Sequence, residues 1–248
     1  VAGETFVAVV PPMPDVDARD WTYGTHVPLD DAIRAACWKL GLRLDRLHDT
    51  GKETKWHRVQ PEPDVWLFAD DATAARRSDG HVLIGSIAGL PSWVPRSRTH
   101  PATGRPLPEG DSRSNVGMTA ATMPLWEEYA RRCAEHWKGV IDIWEITNEP
   151  NLSGMTPRDY VALYSAAVRG IRKGNPEATI VSLGGASPPG SNWILRAIEA
   201  GALVDADTLS FHGYGNTTWN SIPGPASLAA SVALFGRAAA AAGRPDLP

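Results

Sequence analysis

Six short apolar segments recur along the chain, and each is separated from the next by a segment with helical punctuation. The predicted strands are 22–27, 42–47, 82–88, 141–147, 179–184 and 208–213. They are hydrophobic on both faces, which is typical of parallel strands that are covered by helices. Strands that alternate with helices in this way predict an α/β fold with a parallel sheet, either a barrel or a doubly wound sheet.

Helix start and stop signals lie between these strands. A pair of aspartates opens a predicted helix over 30–41, which ends at a glycine. The segment 156–174 begins with a capping box, has proline at its first helical position and also ends at a glycine. Ser191 can cap a helix that continues to about residue 200, and an alanine-rich helix is predicted over 226–242.

Loop lengths favour the barrel over the doubly wound sheet. The connections that leave the second and third strands are long, 48–70 and 89–121, whereas the turns that enter strands are short. In a βα barrel the loops after the strands form the active site. The chain contains neither G-x-G-x-x-G nor G-x-x-x-x-G-K, so the nucleotide-binding alternative lacks its phosphate site.

The sequence therefore predicts a (β/α)8 TIM-barrel type of fold with about six βα units present. We expect residues 21–248 to form an incomplete barrel domain, with a tail that approaches a seventh strand. Residues 1–20 are proline-rich and weakly patterned, which indicates a lead-in or the exit from an upstream domain.

Composition and charge exclude several classes of function. The net charge is −4 with both signs interspersed, which argues against a nucleic-acid partner. No apolar run approaches the ~20 residues that span a bilayer. Cys37 and Cys133 have no metal-ligand spacing and predict two buried free thiols, and no cofactor is expected. The first residue is valine, which fits either a removed leader or a shortened chain, and a secreted or extracytoplasmic location is favoured over a cytoplasmic one. Nothing indicates the oligomeric state.

Ten tryptophans are an unusual number for 248 residues. Trp38, Trp126 and Trp137 lie in helical patterns and are predicted to pack in the core. A second group lies in or beside predicted loops, where an indole can pack in the core or stack on the apolar face of a sugar, and both roles stay open. The members of this group are Trp21, Trp56, Trp66, Trp93 and Trp219.

Polar or aromatic side chains gather at the carboxyl ends of four predicted strands, of which the third ends towards Trp93. Because these ends meet on one side of a parallel barrel, their convergence predicts a functional site better than it predicts unrelated structural roles. In chain order the residues are Arg46, His48, Asp49, Asn148, Glu149, His212 and Tyr214.

The segment IDIWEITNEPN, residues 141–151, carries the clearest chemistry. A carboxyl group such as Glu149 in a partly apolar barrel mouth would have a raised pKa and would act as a general acid at neutral pH. The amide of Asn148 can donate a hydrogen bond to a sugar hydroxyl. Side chains alternate along a strand, so Glu145 lies below Glu149 on the same face, where we expect it to form a buried ion pair with Arg46.

The motifs resemble a known family. WEITNEPN, residues 144–151, is similar to the fourth-strand signature of clan A glycoside hydrolases, which are retaining enzymes on (β/α)8 barrels. RLHD at 46–49, GLPSW at 89–93 and HGY at 212–214 match the same clan at the second, third and sixth strands. The combination is most similar to the branch that contains β-xylosidases and α-L-iduronidases, over roughly residues 22–248.

The resemblance implies a role for each matching residue. Glu149 corresponds to the catalytic acid/base, and Asn148 to the residue that contacts the sugar 2-hydroxyl. His212 and Tyr214 would support the nucleophile, with Arg46 near it. The predicted substrate-binding residues are Asn148, Arg46, His48, Asp49, Trp93, His212, Tyr214, Asn151 and Trp219.

The nucleophile of the family is a glutamate at the end of the seventh strand, and no residue of this chain takes its place well. We expect the nucleophile beyond residue 248, and a replacement of this glutamate by Asp49 as the nucleophile is disfavoured.

The leading hypothesis is a retaining O-glycoside hydrolase for an oligosaccharide, polysaccharide or glycoside. The alternative is a non-catalytic carbohydrate-binding barrel that lacks the nucleophile. A barrel lyase or aldolase would need an interior lysine or a metal cluster, and no lysine falls in a predicted strand.

Overall fold

One parallel sheet of six strands runs through the chain in sequence order. The computed structural model describes residues 24–78, 80–97, 99, 104, 106, 115, 117–187, 191–213 and 225–248, so the predicted lead-in 1–20 lies outside it. The strands are β1 (Gly24–Thr25), β2 (Leu44–Arg46), β3 (Val82–Ile87), β4 (Ile143–Ile146), β5 (Thr179–Ser187) and β6 (Thr208–Gly213). All six predicted strands are confirmed.

The strand order decides between the two predicted architectures. Each strand pairs in parallel with the next along the chain, and the order does not reverse as it does in a doubly wound sheet. The sheet is a partial (β/α)8 barrel, as predicted. The helices are α1 (Asp31–Lys39), α2 (Trp56–Val59), α3 (Asp70–Ser78), α4 (Met123–His136), α5 (Pro157–Gly174), α6 (Ser191–Glu199) and α7 (Pro225–Ala241).

The predicted caps form at two helices. The Asp30 carboxylate accepts a hydrogen bond from the Ile33 amide at 2.9 Å, at the start of α1. The Thr156 hydroxyl accepts one from the Asp159 amide at 3.2 Å, at the start of α5. Ser191 is itself the first residue of α6, one position earlier than predicted. These caps satisfy amide groups that the first helical turn leaves without a backbone partner.

The long connection after β2 contains a helix that the sequence did not predict. Trp56 opens the four-residue helix α2 and is fully buried, with its ring stacked on Tyr129 of α4 at 5.1 Å between centroids. The Trp56 amide donates to the Ala88 carbonyl just after β3 at 2.8 Å, so the connection folds back over the end of the sheet. Trp56 is therefore a core residue and does not line a cleft.

The core lies between the sheet and the helices α4 and α5. Trp126 and Trp137 are buried, as predicted, and Trp144 of β4 joins them on the helix-facing side of the sheet. A Cβ atom at Gly85 of β3 would lie 2.5 Å from the Trp144 ring, so only glycine fits there. Cys133 is buried among them; like Cys37, it is a free thiol, as predicted.

The outer edge of β6 meets the last residues of the chain. The Pro248 carbonyl accepts hydrogen bonds from the Leu209 amide at 3.1 Å and from the Thr208 hydroxyl at 3.0 Å. The Pro248 carbonyl thus lies beside the first residues of β6. Within the described ranges, no helix has the length and apolar character needed to traverse a bilayer.

Candidate active site

A cleft of about 410 Å³ opens at the carboxyl ends of β2, β3 and β4. This is the end of a βα barrel at which active sites form, and the volume is in the range of small-ligand sites. Most of its wall comes from the segments that follow these strands: His48, Asp49, Lys52 and Lys55 after β2, Ala88 and Gly89 after β3, and Thr147, Asn148 and Pro150 after β4.

The turn after β4 has a strained backbone. Thr147 and Glu149 have φ angles of 68° and 45°, in the left-handed region that residues with side chains rarely adopt. Two backbone hydrogen bonds hold the turn: the Thr147 amide donates to the Ile87 carbonyl at 2.9 Å, and the Glu149 amide donates to the Gly184 carbonyl at 2.9 Å. The alternation of faces predicted for β4 therefore ends at Ile146, and the turn sets the position of Glu149. Strain of this kind is concentrated at functional sites.

Glu149 is paired with a histidine from a strand that is not its neighbour. The distance from its Oε1 to His212 Nδ1 is 2.8 Å, with side-chain exposures of 19% for Glu149 and 21% for His212. Since β5 lies between β4 and β6, the contact spans the mouth of the partial barrel. An ionised carboxylate can only accept, so a hydrogen bond to it requires the proton on Nδ1. The structure thus brings together two of the predicted site residues.

The predicted ion pair between Arg46 and Glu145 is present. Arg46 Nε donates to Glu145 Oε2 at 2.7 Å, and the Ser210 hydroxyl donates to Oε1 at 3.2 Å. The Glu145 side chain is only 3% exposed, so these donors replace the water that a buried carboxylate loses. Glu145 therefore holds the arginine in place below the cleft.

Arg46 also orients the amide of Asn148. Its Nη2 donates to Asn148 Oδ1 at 2.8 Å. Because arginine has only donors, the atom that faces it must be the amide oxygen. The amide nitrogen of Asn148 then remains as a donor, and it makes no hydrogen bond to any residue that the structure describes. Asn148 lines the cleft and can offer that donor to a ligand.

A buried lysine reaches the site from the loop after β2, and the sequence pattern did not single it out. Lys55 Nζ donates to His48 Nδ1 and to the Ser86 hydroxyl, the latter at 3.0 Å. Burial, followed by the charge of Arg46, lowers the pKa of Lys55 to about 7. No lysine lies in a described strand, as predicted, but the barrel interior does receive one. Lys55 directly precedes the buried Trp56, but the sequence left the burial of Trp56 open and so gave no signal for the lysine.

His48 is held as a neutral imidazole. Burial and then the charge of Lys55 lower its pKa to about 2. Since Lys55 donates to Nδ1, the His48 proton lies on Nε2, which is 3.6 Å from Asp49 Oδ1. Asp49 Oδ2 lies 3.7 Å from Nε2 of His26, a second histidine whose pKa burial lowers. Asp49 itself is 71% exposed and stands at the rim of the cleft.

Of the predicted site residues, His48, Asp49 and Asn148 line the cleft, whereas Arg46, Glu149 and His212 are not in its wall. The other predicted contacts lie away from the cleft or outside the described residues. Asn151 uses its amide on the backbone of Ala186, donating to the carbonyl at 3.0 Å and accepting from the N–H at 3.0 Å. The Trp93 indole donates to the Gln60 carbonyl at 3.0 Å, and Trp93 is not among the residues that line the cleft. Their roles in sugar binding stay predictions, as do those of Tyr214 and Trp219, which lie outside the described residues. Across the described ranges, no three acidic, histidine or cysteine side chains cluster as metal ligands.

The lowered pKa of His48 predicts how stability depends on pH. The folded chain leaves this imidazole neutral between pH 6.5 and about 2, whereas the unfolded chain protonates it below 6.5. Stability from His48 is therefore fully present above pH 6.5 and is lost as the pH falls, by up to about 1.4 kcal/mol per pH unit. We expect the melting temperature to fall less steeply below pH 6.5 in His48→Gln than in wild type. His136→Gln, outside the cleft, is the control; an unchanged slope in His48→Gln would contradict the prediction.

No known protein-family model and no curated protein matches the chain. Solved structures do match. A family 39 glycoside hydrolase from Bacteroides cellulosilyticus WH2 superposes with a TM-score of 0.61 and 19% identity, over 87% of this chain. The family 39 enzyme from Xanthomonas axonopodis pv. citri superposes with a TM-score of 0.62 and 18% sequence identity, over 89% of this chain. A monomeric β-xylosidase from Caulobacter crescentus CB15 superposes with a TM-score of 0.60 and 17% sequence identity, also over 89% of this chain.

The chain has the fold of these glycoside hydrolases. At this level of identity the likeness concerns the fold, and it confirms the barrel architecture that the sequence motifs implied. The chain spans 45%, 48% and 47% of the Bacteroides, Caulobacter and Xanthomonas chains, which is less than half of each.

Proposed function

We propose that the chain carries the acid/base half of the active site of a retaining O-glycoside hydrolase, which acts on an oligosaccharide, polysaccharide or glycoside. One observation carries the proposal: the Glu149 carboxylate, 2.8 Å from His212 Nδ1, follows directly after Asn148 at the carboxyl ends of the strands. Retaining glycosidases use a carboxyl group as acid/base, and hydrogen bonds to the sugar 2-hydroxyl strengthen in their transition state.

Each residue has a defined part in the proposed reaction. Protonated Glu149 gives its proton to the glycosidic oxygen as the bond to the anomeric carbon breaks. The Asn148 amide nitrogen, directed by Arg46, donates to a sugar hydroxyl, and such a bond strengthens as the transition state gains oxocarbenium character. His212 holds the carboxyl group in place. In the second step, Glu149 accepts a proton from the water that releases the sugar.

The retaining mechanism also needs a second carboxylate, about 5–5.5 Å from the first, which attacks the anomeric carbon. We propose that it comes from a segment that follows residue 248. The Pro248 carbonyl accepts a hydrogen bond from the Leu209 amide at 3.1 Å, so the chain reaches the free edge of β6 at this point. At ~3.3 Å per residue, a strand continuing from there would stand level with His212 about four residues later.

A non-catalytic carbohydrate-binding barrel is the second candidate. It is favoured by the fact that Asp49 is the only acidic side chain in the wall of the cleft within the described part of the chain. Asp49 is 71% exposed and stands beside two histidines at the rim, where solvent screens its charge. A protein of this kind would bind saccharides through Asn148 without turnover.

The stereochemistry of the product separates these candidates. We expect the complete protein to hydrolyse at least one member of a panel of aryl glycosides, and the first anomer seen by proton NMR to keep the configuration of the substrate. A first-formed product of inverted configuration would contradict the retaining mechanism. Saccharide binding without hydrolysis of any glycoside in the panel would favour the binding barrel.

A further inference from the structure

Lys55 is fixed in the wall of the cleft at both ends of the residue. Its backbone lies at the start of α2, where the Lys55 carbonyl accepts hydrogen bonds from the Arg58 amide at 2.8 Å and the Val59 amide at 3.0 Å. At the other end, Nζ donates to the Ser86 hydroxyl of β3 at 3.0 Å and to His48 Nδ1. Lys55 is 6% exposed and Ser86 is fully buried, so the ammonium group has a set position.

The ammonium group of Lys55 decides which nitrogen of His48 carries the proton. A lysine ammonium has three donors and no acceptor, so the ring nitrogen that faces it must be the acceptor. Because burial and then the charge of Lys55 lower the pKa of His48 to about 2, the ring is neutral and its one proton lies on Nε2. Among the described residues, no other side chain forms a hydrogen bond with Nδ1.

Nε2 of His48 is the ring nitrogen that is left for a ligand. It forms no hydrogen bond to another residue that the structure describes, and Asp49 Oδ1 lies 3.6 Å away. His48 lines the cleft, and 20% of its side chain is exposed. A hydroxyl oxygen of a saccharide in the cleft can therefore accept a hydrogen bond from this N–H group.

A second pair in the site has the same arrangement. Arg46 donates to Asn148 Oδ1 at 2.8 Å and leaves the amide nitrogen for a ligand. The side chains of His48 and Asn148 can each donate and accept, and each of them faces a cation that can only donate. The two cations thereby orient both groups so that the cleft receives donors, for which the hydroxyl oxygens of a saccharide are suitable acceptors.

We propose that Lys55 is a positioning residue, which holds His48 in the Nε2–H tautomer so that the imidazole donates a hydrogen bond to a hydroxyl oxygen of the saccharide. This inference rests on the proposed function and deepens it, because it names the residue that sets one of the contacts to the substrate. Lys55 acts through His48 and needs no contact of its own with the saccharide.

Nitrogen-15 NMR of the complete protein, labelled at histidine, reads the tautomer directly, because protonated and bare ring nitrogens have well-separated shifts. At pH 6, Lys55, with a pKa of about 7, is mostly protonated and His48 is still neutral. We expect a bare Nδ1 and a protonated Nε2 in the wild type and in Lys55→Arg, which keeps a pure donor. Lys55→Met should show a mixture of both tautomers, and His48→Leu assigns the signals by their loss.

Two outcomes of the NMR experiment would overturn the inference. One is a protonated Nδ1 of His48 in the wild type, which requires no variant to fold. The other is a spectrum of His48 that stays unchanged in Lys55→Met.

A double-mutant cycle tests whether Lys55 acts through His48. The readout is kcat/KM of the complete protein on 4-nitrophenyl β-D-xylopyranoside or, where this glycoside is not hydrolysed, on the fastest substrate of the aryl glycoside panel. We expect Lys55→Met to lower kcat/KM about three- to tenfold, the range for one hydrogen bond between neutral groups. In the His48→Leu background the same substitution should have no further effect, because the group that Lys55 positions is gone.

Lys52→Met is the matched control. It removes the same charge from the same wall, and Lys52 forms no hydrogen bond with His48 in the described structure, so its effect should be equal in both backgrounds. Equal losses from Lys55→Met in the two backgrounds would overturn the inference and leave the proposed function standing. Absence of hydrolysis across the whole panel would instead overturn the proposed function, and with it the contact between His48 and a substrate.

Discussion

Replacing Glu149 with glutamine is expected to lower kcat/KM for glycosides with poor leaving groups by about 10²–10⁴-fold, the usual contribution of a general acid. Glutamine keeps the shape of the side chain, and its oxygen can still accept from His212 Nδ1. It cannot give a proton to the glycosidic oxygen. Activated aryl glycosides, whose leaving groups need little protonation, should lose much less activity in the bond-breaking step.

The contrast between the two leaving groups makes this result specific. A variant that was merely misfolded would lose activity on both kinds of substrate to the same extent. Glu177→Gln removes an exposed carboxylate at the turn before β5, far from the cleft, and should leave both activities unchanged. Wild-type turnover of both substrates by Glu149→Gln would remove Glu149 from the reaction.

The strands could be predicted because the signal that defines them is local. Each is a short apolar segment between turns, and for β6 the predicted and observed bounds are the same. The helices α2 and α3 could not be found in this way. A four-residue helix has no period to detect, and the inward face of α3 does not look apolar because it buries Arg76, paired with buried Asp45. Burial of an ion pair reverses the usual link between polarity and exposure.

The site was predictable where it depends on strand ends and unpredictable where it depends on curvature and loops. Arg46, Asn148 and Glu149 end or follow strands, so topology places them at one end of the sheet. The contact between Glu149 and His212 requires the sheet to curl past an intervening strand, and the left-handed backbone at Thr147 leaves no mark in the sequence. Sequence spacing also gives no measure of how far a loop lysine reaches inward.

Substituting Arg46 with methionine is expected to lower the free energy of unfolding by about 3–5 kcal/mol, since it leaves a buried carboxylate without its ion-pair partner. Glu145 is 3% exposed, and of the described donors only the Ser210 hydroxyl, at 3.2 Å, would remain for it. Chemical denaturation at neutral pH measures the change. Glu145→Gln is the conservative comparison, because its amide oxygen can still accept from Arg46, and it should cost less.

The double variant Arg46→Met/Glu145→Leu separates the stability of the pair from its part in the reaction. With both charges replaced by apolar groups, no lone charge is buried, and most of the lost free energy of unfolding should return. Hydrolysis should not return with it, because Asn148 still lacks the donor, 2.8 Å from its oxygen, that directs its amide nitrogen to the substrate. Recovery of both stability and kcat/KM would show that Arg46 acts on Glu145 alone. Recovery of neither would mean that the packing around the pair, and not its charge, sustains the fold.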